Sequence, residues 1–478
     1  MRAPSFTSRI LLLSIAMSVG FTSDSPAAEP TLRAGAFAQD VTPTAFPISV
    51  NGNMADKKAT SAHDPLHARC LVLDDGKTKI ALVVVDSCMI PREIHDAAKA
   101  RAEKKTGIPA SNILISATHT HTAPTLTGVF QSDPDEAYIK FLTAKIAEGI
   151  EKAHARLAPA KAGWGSAMEP DQVFNRRWKM KPDAVNLDPF GGKTDLVRMN
   201  PGYRENNPGL LEPAGSTDPE VSVLSLRTAN DQPLALLANY SLHYVGDMPA
   251  LSADYFGVFG DRIGGILGAK DRGFVGILSN GTSADVNNAN FGGPTPPKRE
   301  VGERSRLVAE AVGQAAKKAS DTKYRGDITL AVAEKELEFK VRKPSQEELR
   351  RAQELLEKAK GRELKGVEEI YARETLLIAK YPDTVKLKVQ AIRVGDLGIV
   401  GIPCEVFTEI GLEIKRKSPL KRTFTVSLAN GYNGYLPTPV QHAFGGYETW
   451  RARSSYLEVK ASDTIVPTVL ELLAKVAK

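Results

Sequence analysis

Short apolar runs and amphipathic segments alternate through the first half of the chain, and this alternation restricts the fold more than any other feature. Residues 71–73 lead through the turn Asp74-Asp75-Gly76 into a strong apolar strand at 80–86, which reads as a hairpin. A helix over 91–105, closed by Gly107, comes next, then a short buried strand at 113–115. Another helix begins near Asp133-Pro134, with Tyr138, Leu142, Ile146, Ile150 and Leu157 at helical spacing on its buried face. Residues 221–226 and 234–240 form a second strand pair around Asn230-Asp231. The expected class is α/β, with a mixed sheet core and flanking helices.

Residues 1–28 read as an export signal. Arg2 and Arg9 make a basic start, 10–21 is an apolar stretch too short to span a bilayer, and Ser25-Pro26-Ala27 offers small residues for cleavage near Ala27 or Ala28. No later run approaches transmembrane length, so an exported, soluble protein, periplasmic or extracellular, is expected. Residues 29–478 exceed what one simple core holds, and a single large domain with an insertion is expected. The net charge is only +6, and no basic run is interleaved with aromatics, which argues against a nucleic-acid partner. Cys70, Cys88 and Cys404 lie in apolar contexts. Either two of them pair or all are buried thiols, and no disulfide framework holds the fold.

Asn, Pro, Gly and charge dominate 175–218, which reads as an irregular stretch forming pocket walls. Ser345-Gln-Glu-Glu348 is a capping box opening a helix to near Lys360, and a second helix at 367–380 ends before Pro382. Their charged faces leave a narrow apolar stripe, so this helical hairpin, 345–380, is expected to be a peripheral insertion. Strands at 389–394 and 397–402 turn at Gly395-Asp396, and 464–476 is a closing amphipathic helix.

Residues suited to chemistry gather at the ends of strands. In 112–125, Asn-Ile-Leu-Ile-Ser-Ala-Thr-His-Thr-His-Thr-Ala-Pro-Thr, His119 and His121 stand two apart after an apolar run, which puts both imidazoles on one face. Neutral imidazole is a common zinc ligand, so one ring can bind metal while the other handles a proton; the alternative is a polar turn with solvated histidines. His243 ends another apolar run, with Asp247 and Asp254 close by to orient it. Residues 278–288, Leu-Ser-Asn-Gly-Thr-Ser-Ala-Asp-Val-Asn-Asn, offer backbone and amide donors to an oxyanion, or else form a turn-rich linker. Glu405 follows the apolar strand at 398–402 and is read as opening a helix, either as a functional carboxylate or as a simple cap. Tyr432, Tyr435 and Tyr447 sit among glycines. Two strand-end histidines, a strand-end glutamate and a glycine-flanked tyrosine make four N/O donors, a set that suits zinc.

Together these segments resemble the neutral, non-lysosomal ceramidases and their shorter bacterial relatives. The likeness runs from Ala34-Gly-Ala-Phe-Ala-Gln-Asp40-Val-Thr-Pro43 to the Tyr447 loop. Its most specific part is Ser116-Ala-Thr-His-Thr-His-Thr-Ala-Pro124, which is similar to the family's Thr-His-Thr-His-Ser-x-Pro signature. Asn175-Arg176 resembles the family's Asn-Arg element, and the Asp285 loop resembles its Gly-Asp-Val-Ser-Pro-Asn segment. The resemblance implies zinc ligands at His119, His243, Glu405 and Tyr435, with His121, Arg176 and Tyr447 in catalytic or supporting positions. It also implies a ceramidase-like catalytic domain, into which the helical hairpin read above is inserted. Asn287 stands where the family has serine, and the family's C-terminal immunoglobulin-like domain is expected to be missing.

The expected activity is zinc-dependent hydrolysis of a linear N-acyl amide, small or lipid-like, by metal-activated water. His121 is expected to pass the proton to the leaving amine, with Arg176, Tyr447 and Asn287 holding the oxyanion or the substrate. Two alternatives stand beside it: hydrolysis of an ester or sugar amide on the same zinc, and non-catalytic, zinc-stabilised binding of a lipid or glycan. Ser279, Thr282 and Ser283 are the hydroxyls nearest Asn287 in sequence, candidates for a covalent route that metal-activated water makes unnecessary.

Overall fold

The computed structural model describes residues 1–2, 4, 32–184, 187–192, 195–359 and 363–478. The expected leader, 1–28 with cleavage near Ala27 or Ala28, lies outside the described residues apart from Met1, Arg2 and Pro4. No described helix is long and apolar enough to cross a membrane.

Two sheets face each other. The larger has eight strands in the order Val275–Asn280, Pro233–Tyr240, Glu220–Thr228, Ala158–Met168, Arg33–Asp40, His67–Asp74, Lys79–Val85 and Ile113–Ala117. Helices α1 (Arg92–Thr106), α2 (Glu136–Ala155), α3 (Asp254–Ile266) and α4 (Glu303–Ala319) cover its outer face. The sheet is antiparallel except at its two edges, where α1 and α3 carry the chain back to start a parallel strand. Alternate side chains divide between two cores, as the strand period requires. Ala68, Cys70 and Val72 pack outward toward α1 and α2, whereas Leu71 and Leu73 face the second sheet.

That second sheet comprises Leu330–Lys340, Thr384–Val394, Leu397–Gly401 and Arg422–Val426, in that order. It sends Ile392, Val394, Ile399 and Phe424 into the shared interior. Helices α5 (Gln346–Lys358) and α6 (Gly366–Ala379) are inserted between its first two strands. Three more follow, α7 (Thr408–Lys417), the short α8 (Pro439–Phe444) and α9 (Ala461–Val476), and α7 and α9 cover the outer face.

The larger sheet curls until its edge strands come within 8 Å of each other between Cα atoms. Residues 427–430 stitch the edges together. Ser427 N donates to Asn280 O (3.0 Å), Ala117 N to Leu428 O (3.3 Å) and Asn430 N to Ile115 O (2.8 Å). Strand ends that are remote in the sheet order thereby become neighbours, and the residues just past them form the site.

The structure corrects three expectations. Residues 175–218 are not structureless, because Arg177–Met180 centres a small sheet with Val197–Met199 and Leu210–Pro213, and Phe174–Asn175 pairs with Val286–Asn287. Strands this short carry no periodic signal. Glu405 does not open a helix. It lies in the strand Glu405–Val406, and the first backbone N–H of α7, at Thr408, donates to Asp285 (2.9 Å). Nor is the α5–α6 hairpin peripheral. Tyr371 of α6 is fully buried with Cys88, Met89 and Phe130, and the buried Glu374 pairs with Arg453 at 2.7 Å. A carboxylate paired inside the protein looks, in sequence, like one facing water. Cys70, Cys88 and Cys404 are all buried free thiols.

Candidate metal centre

His119, His243 and Glu405 reach one point from separate strand ends. His119 lies past Ile113–Ala117 with a left-handed φ of 71°, and its N–H donates to Ser87 O (2.9 Å). For a non-glycine residue such a conformation costs about 1–3 kcal/mol and persists only where the surroundings enforce it. His243 lies past Pro233–Tyr240. Glu405 pairs in parallel register with Tyr435, which places both side chains on one side of that ladder. His119 Nε2 lies 3.2 Å from His243 Nε2, 3.2 Å from Glu405 Oε2 and 3.1 Å from His121 Nε2. The ligand atoms of His119, His243 and Glu405 all fall within 4.8 Å of one another.

The tautomers follow from what faces each ring. His119 Nδ1 meets the Cys88 carbonyl (2.8 Å), His243 Nδ1 the Ser283 carbonyl (3.1 Å) and His121 Nδ1 the Gly52 carbonyl (2.9 Å). A carbonyl can only accept, so each Nδ1 carries hydrogen and each neutral ring presents a lone pair at Nε2. Gly52 permits the last contact: its φ is +95°, and a Cβ there would sit 2.4 Å from the His121 ring.

His119 Nε2 therefore faces two imidazole lone pairs and a carboxylate oxygen, and Glu405 Oε2 is buried without a hydrogen-bond partner. Acceptors gathered this closely call for a positive charge among them, which a metal cation or a proton supplies. Burial opposes protonation of His119, but the Glu405 carboxylate outweighs it and pushes the ring up to about 10. Two nitrogens and a carboxylate oxygen, with Nδ1 hydrogens tied to carbonyls, suit zinc. The residues fit such an ion. A second trio, Cys88, His119 and His121, is a poorer set, since burial holds the Cys88 thiol protonated and His119 Nδ1 is committed to a carbonyl.

Around this core the charges are tightly arranged. Burial opposes the charge of Arg176, yet Tyr435 and Glu448 outweigh it and hold the guanidinium protonated. Arg176 donates from Nη2 to the Tyr435 hydroxyl (3.1 Å), from Nη1 to His243 Nε2 (3.1 Å) and from Nε to Glu448 Oε1 (3.0 Å). The same His243 lone pair thus serves an arginine or a metal. Glu448, fully buried, also binds Arg177 through its second oxygen (2.5 Å). Burial, with the charges of His119 and Arg176, lowers His121 well below the usual histidine range, so its Nε2 is a neutral proton acceptor. Burial, with Arg176 next, does the same to His243. Burial raises the Tyr435 and Tyr447 hydroxyls, and their rings meet edge to face at 5.9 Å.

Asn287 lines a cavity with Arg176 and His243, and its Nδ2 donates to Asn200 Oδ1 (2.7 Å). Ser279 donates to Ala238 O (3.0 Å) inside the sheet, and Ser283 contributes its carbonyl to His243. Tyr244 and Glu448 had no role in the sequence reading, and Tyr432 entered it only as one of the glycine-flanked tyrosines. Tyr244 stacks on His121 at 3.8 Å, Tyr432 donates to Glu405 Oε1 (3.2 Å), and Glu448 bridges the arginine pair, one oxygen to each. Glu448 had one signal, since two adjacent arginines require a carboxylate if both are buried.

Residues 33–264 match the family described as neutral/alkaline non-lysosomal ceramidase, N-terminal. The neutral ceramidase of Pseudomonas aeruginosa PAO1 is 24% identical over 472 residues, an alignment that covers 86% of this chain and 67% of that protein. A crystal structure of neutral ceramidase from Pseudomonas aeruginosa superposes with a TM-score of 0.68 at 19% identity, covering 93% of this chain and 74% of that one. A ceramidase complexed with C2 superposes equally well, with a TM-score of 0.68 at 18% identity over 94% of this chain and 75% of the other. The mixed α/β fold is theirs, and the His-x-His strand end lies inside the region that matches the neutral/alkaline non-lysosomal ceramidase family, which this chain resembles.

Proposed function

We propose that this protein is a zinc-dependent amidase that hydrolyses a linear N-acyl amide, ceramide or a related compound, after export through the leader-like residues 1–28. The observation that carries the reading is the His119 Nε2 lone pair facing His121, His243 and an unpartnered Glu405 oxygen, in a chain whose relatives are named ceramidases. His119, His243 and Glu405 would hold the ion, with the Tyr435 hydroxyl as a further donor from the residue paired with Glu405. When bound, zinc supplies Lewis acidity at the scissile carbonyl and makes water nucleophilic near neutral pH.

The protein's own groups do the rest. His121, neutral and tethered at Nδ1, takes up a proton at Nε2 and returns it to the departing amine. Arg176, held charged between Tyr435 and Glu448, stabilises negative charge developing on the carbonyl oxygen, and the Tyr447 hydroxyl adds a second donor. Asn287 keeps one N–H on Asn200 and has a second for the substrate. An amide has no hydroxyl to deprotonate, so no covalent acyl intermediate forms at that position.

The test is to purify the full chain, measure bound zinc by mass spectrometry, and follow release of fatty acid from ceramides and other linear N-acyl amides before and after chelation. One zinc per chain and chelator-sensitive hydrolysis are expected. A zinc-loaded protein that cleaves esters and none of these amides would overturn the amidase assignment.

A further inference from the structure

Beyond the ligand cluster lies a cavity of about 160 Å³, lined by Arg176, Arg304, Asn200, Asn287, Asn288 and His243 among others. Its described lining holds two arginines and three asparagines and not one carboxylate. Arg176 is balanced by Glu448, but Arg304 is not balanced in the same way. Its backbone N–H, in the first turn of α4, donates to Asp247 (2.8 Å). Its guanidinium, on a half-buried residue, has no hydrogen-bond or ion-pair partner among the described residues. Arg304 and Asn288 also border a larger outer cleft of about 770 Å³, which carries charges of both signs, including Asp171, Glu300 and Lys298. The arginine therefore stands between the two spaces, on the border of the one whose described lining holds no acid.

Tyr244 is the one phenol or indole in the described lining, and its ring is stacked on His121 at 3.8 Å. Phe130, Tyr371 and Trp450 pack around Tyr447 and one another, and none of them lines the inner cavity. A small polar space with a free guanidinium suits a compact anion more than a second hydrocarbon chain. Pockets for drug-sized ligands run to about 300–1,000 Å³, whereas an amino-acid headgroup is far smaller. Arginine binds a carboxylate through paired, charge-assisted bonds roughly twice as strong as neutral ones.

We propose, resting on the amidase reading above, that the amine portion of the substrate carries a carboxylate or similar anion seated on Arg304. The substrate class is then N-acyl amino acids rather than neutral ceramides with two chains. Hydrolysis adds water across the C–N bond and releases a fatty acid and a free amino acid.

The test compares N-lauroylglycine with its neutral isostere N-lauroylglycinamide on the zinc-loaded full chain. Equilibrium binding of the non-hydrolysable N-dodecylsulfonylglycine and its glycinamide is measured alongside by calorimetry. A preference of at least tenfold for the glycine compound is expected in both kcat/KM and binding. Arg304→Gln should erase most of that ratio, and Arg304→Lys should retain part of it. Equal values for the two compounds, or a preference that survives Arg304→Gln, would overturn the proposal while leaving the amidase reading intact. Preferential binding lost in Arg304→Gln, without hydrolysis of either amide, would instead uphold the anion site and sink the amidase reading.

Discussion

The first half of the chain and the second bring opposite chemistry to one site. The region up to residue 264, which the family match covers from residue 33, supplies His119, His121, Arg176 and His243. The later region supplies Glu405, Tyr435, Tyr447 and Glu448. One set is bases and a cation; the other is carboxylates and phenols. Their anchoring differs as well. His119 and His121 are tied at Nδ1 to carbonyls of their own half, Cys88 and Gly52, whereas Glu405 is held at one oxygen by Tyr432 and left bare at the other. The lesson is that the first half pre-orients its donors, and the second balances their charge. Neither makes a site alone.

The harshest way to break this division is to remove the second half's charge at its centre. Glu405→Gln changes little volume, so circular dichroism should be unaltered. Metal affinity should fall by more than about 100-fold, beyond the 10–100-fold typical of an outer-shell partner, and hydrolysis should disappear. Full zinc content in this variant would mean that the later region contributes no ligand.

Glu448 tests the seam next. Its two oxygens bind Arg176 and Arg177 in a fully buried setting. Glu448→Gln leaves two buried cations undercompensated, a loss on the order of 3–5 kcal/mol by urea denaturation. Arg176→Met introduced into that variant should cost less than in the parent protein, since the two residues act as one unit.

Tyr371 sharpens the comparison by asking whether the inserted hairpin belongs to the core that both halves share. It packs edge to face with Phe190 at 6.0 Å and Trp450 at 5.5 Å. Tyr371→Ala should destabilise the fold by about 3 kcal/mol, read as a lower denaturation midpoint, with a smaller loss in kcat. No change in the midpoint would return the hairpin to the periphery.

The smallest effect concerns a bond across the seam, from Lys99 Nζ on α1 to Asn430 Oδ1 (2.7 Å). Burial lowers the Lys99 ammonium from 10.5 to about 8. Between those values the unfolded chain binds a proton that the folded chain does not, so stability rises with pH. For one proton the slope is at most about 1.4 kcal/mol per pH unit. Lys99→Met should flatten that rise in melting curves taken from pH 8 upward; an unchanged slope would assign it to other groups.

How much of this could be read beforehand varied with the length of the element. The strands Lys79–Val85 and Pro233–Tyr240 and the helix α2 announce themselves, the strands as continuous apolar runs and the helix by its repeated apolar spacing. Leu330–Lys340 is longer than either strand, but the charged residues from Glu334 onward break up its apolar pattern, and it becomes a recognisable strand only beside Thr384–Val394. The arginine pair and Glu448 stand 272 and 271 residues apart in sequence, so no local pattern could join them.

By itself the sequence determined the α/β class and the residue types at the strand ends, because side-chain period and strand termination are properties of a few consecutive residues. It also named His119, His243 and Glu405, which the fold brings within 4.8 Å. Only the tertiary structure decided which nitrogen of each histidine is free, since that depends on carbonyls at Gly52, Cys88 and Ser283. It also decided that Glu405 lies in a strand, that α6 is core, and that Arg304 borders a cavity without an acid. Each of these is a contact across the closed sheet, and the energy of a contact depends on distance in space, about which adjacency along the chain is silent.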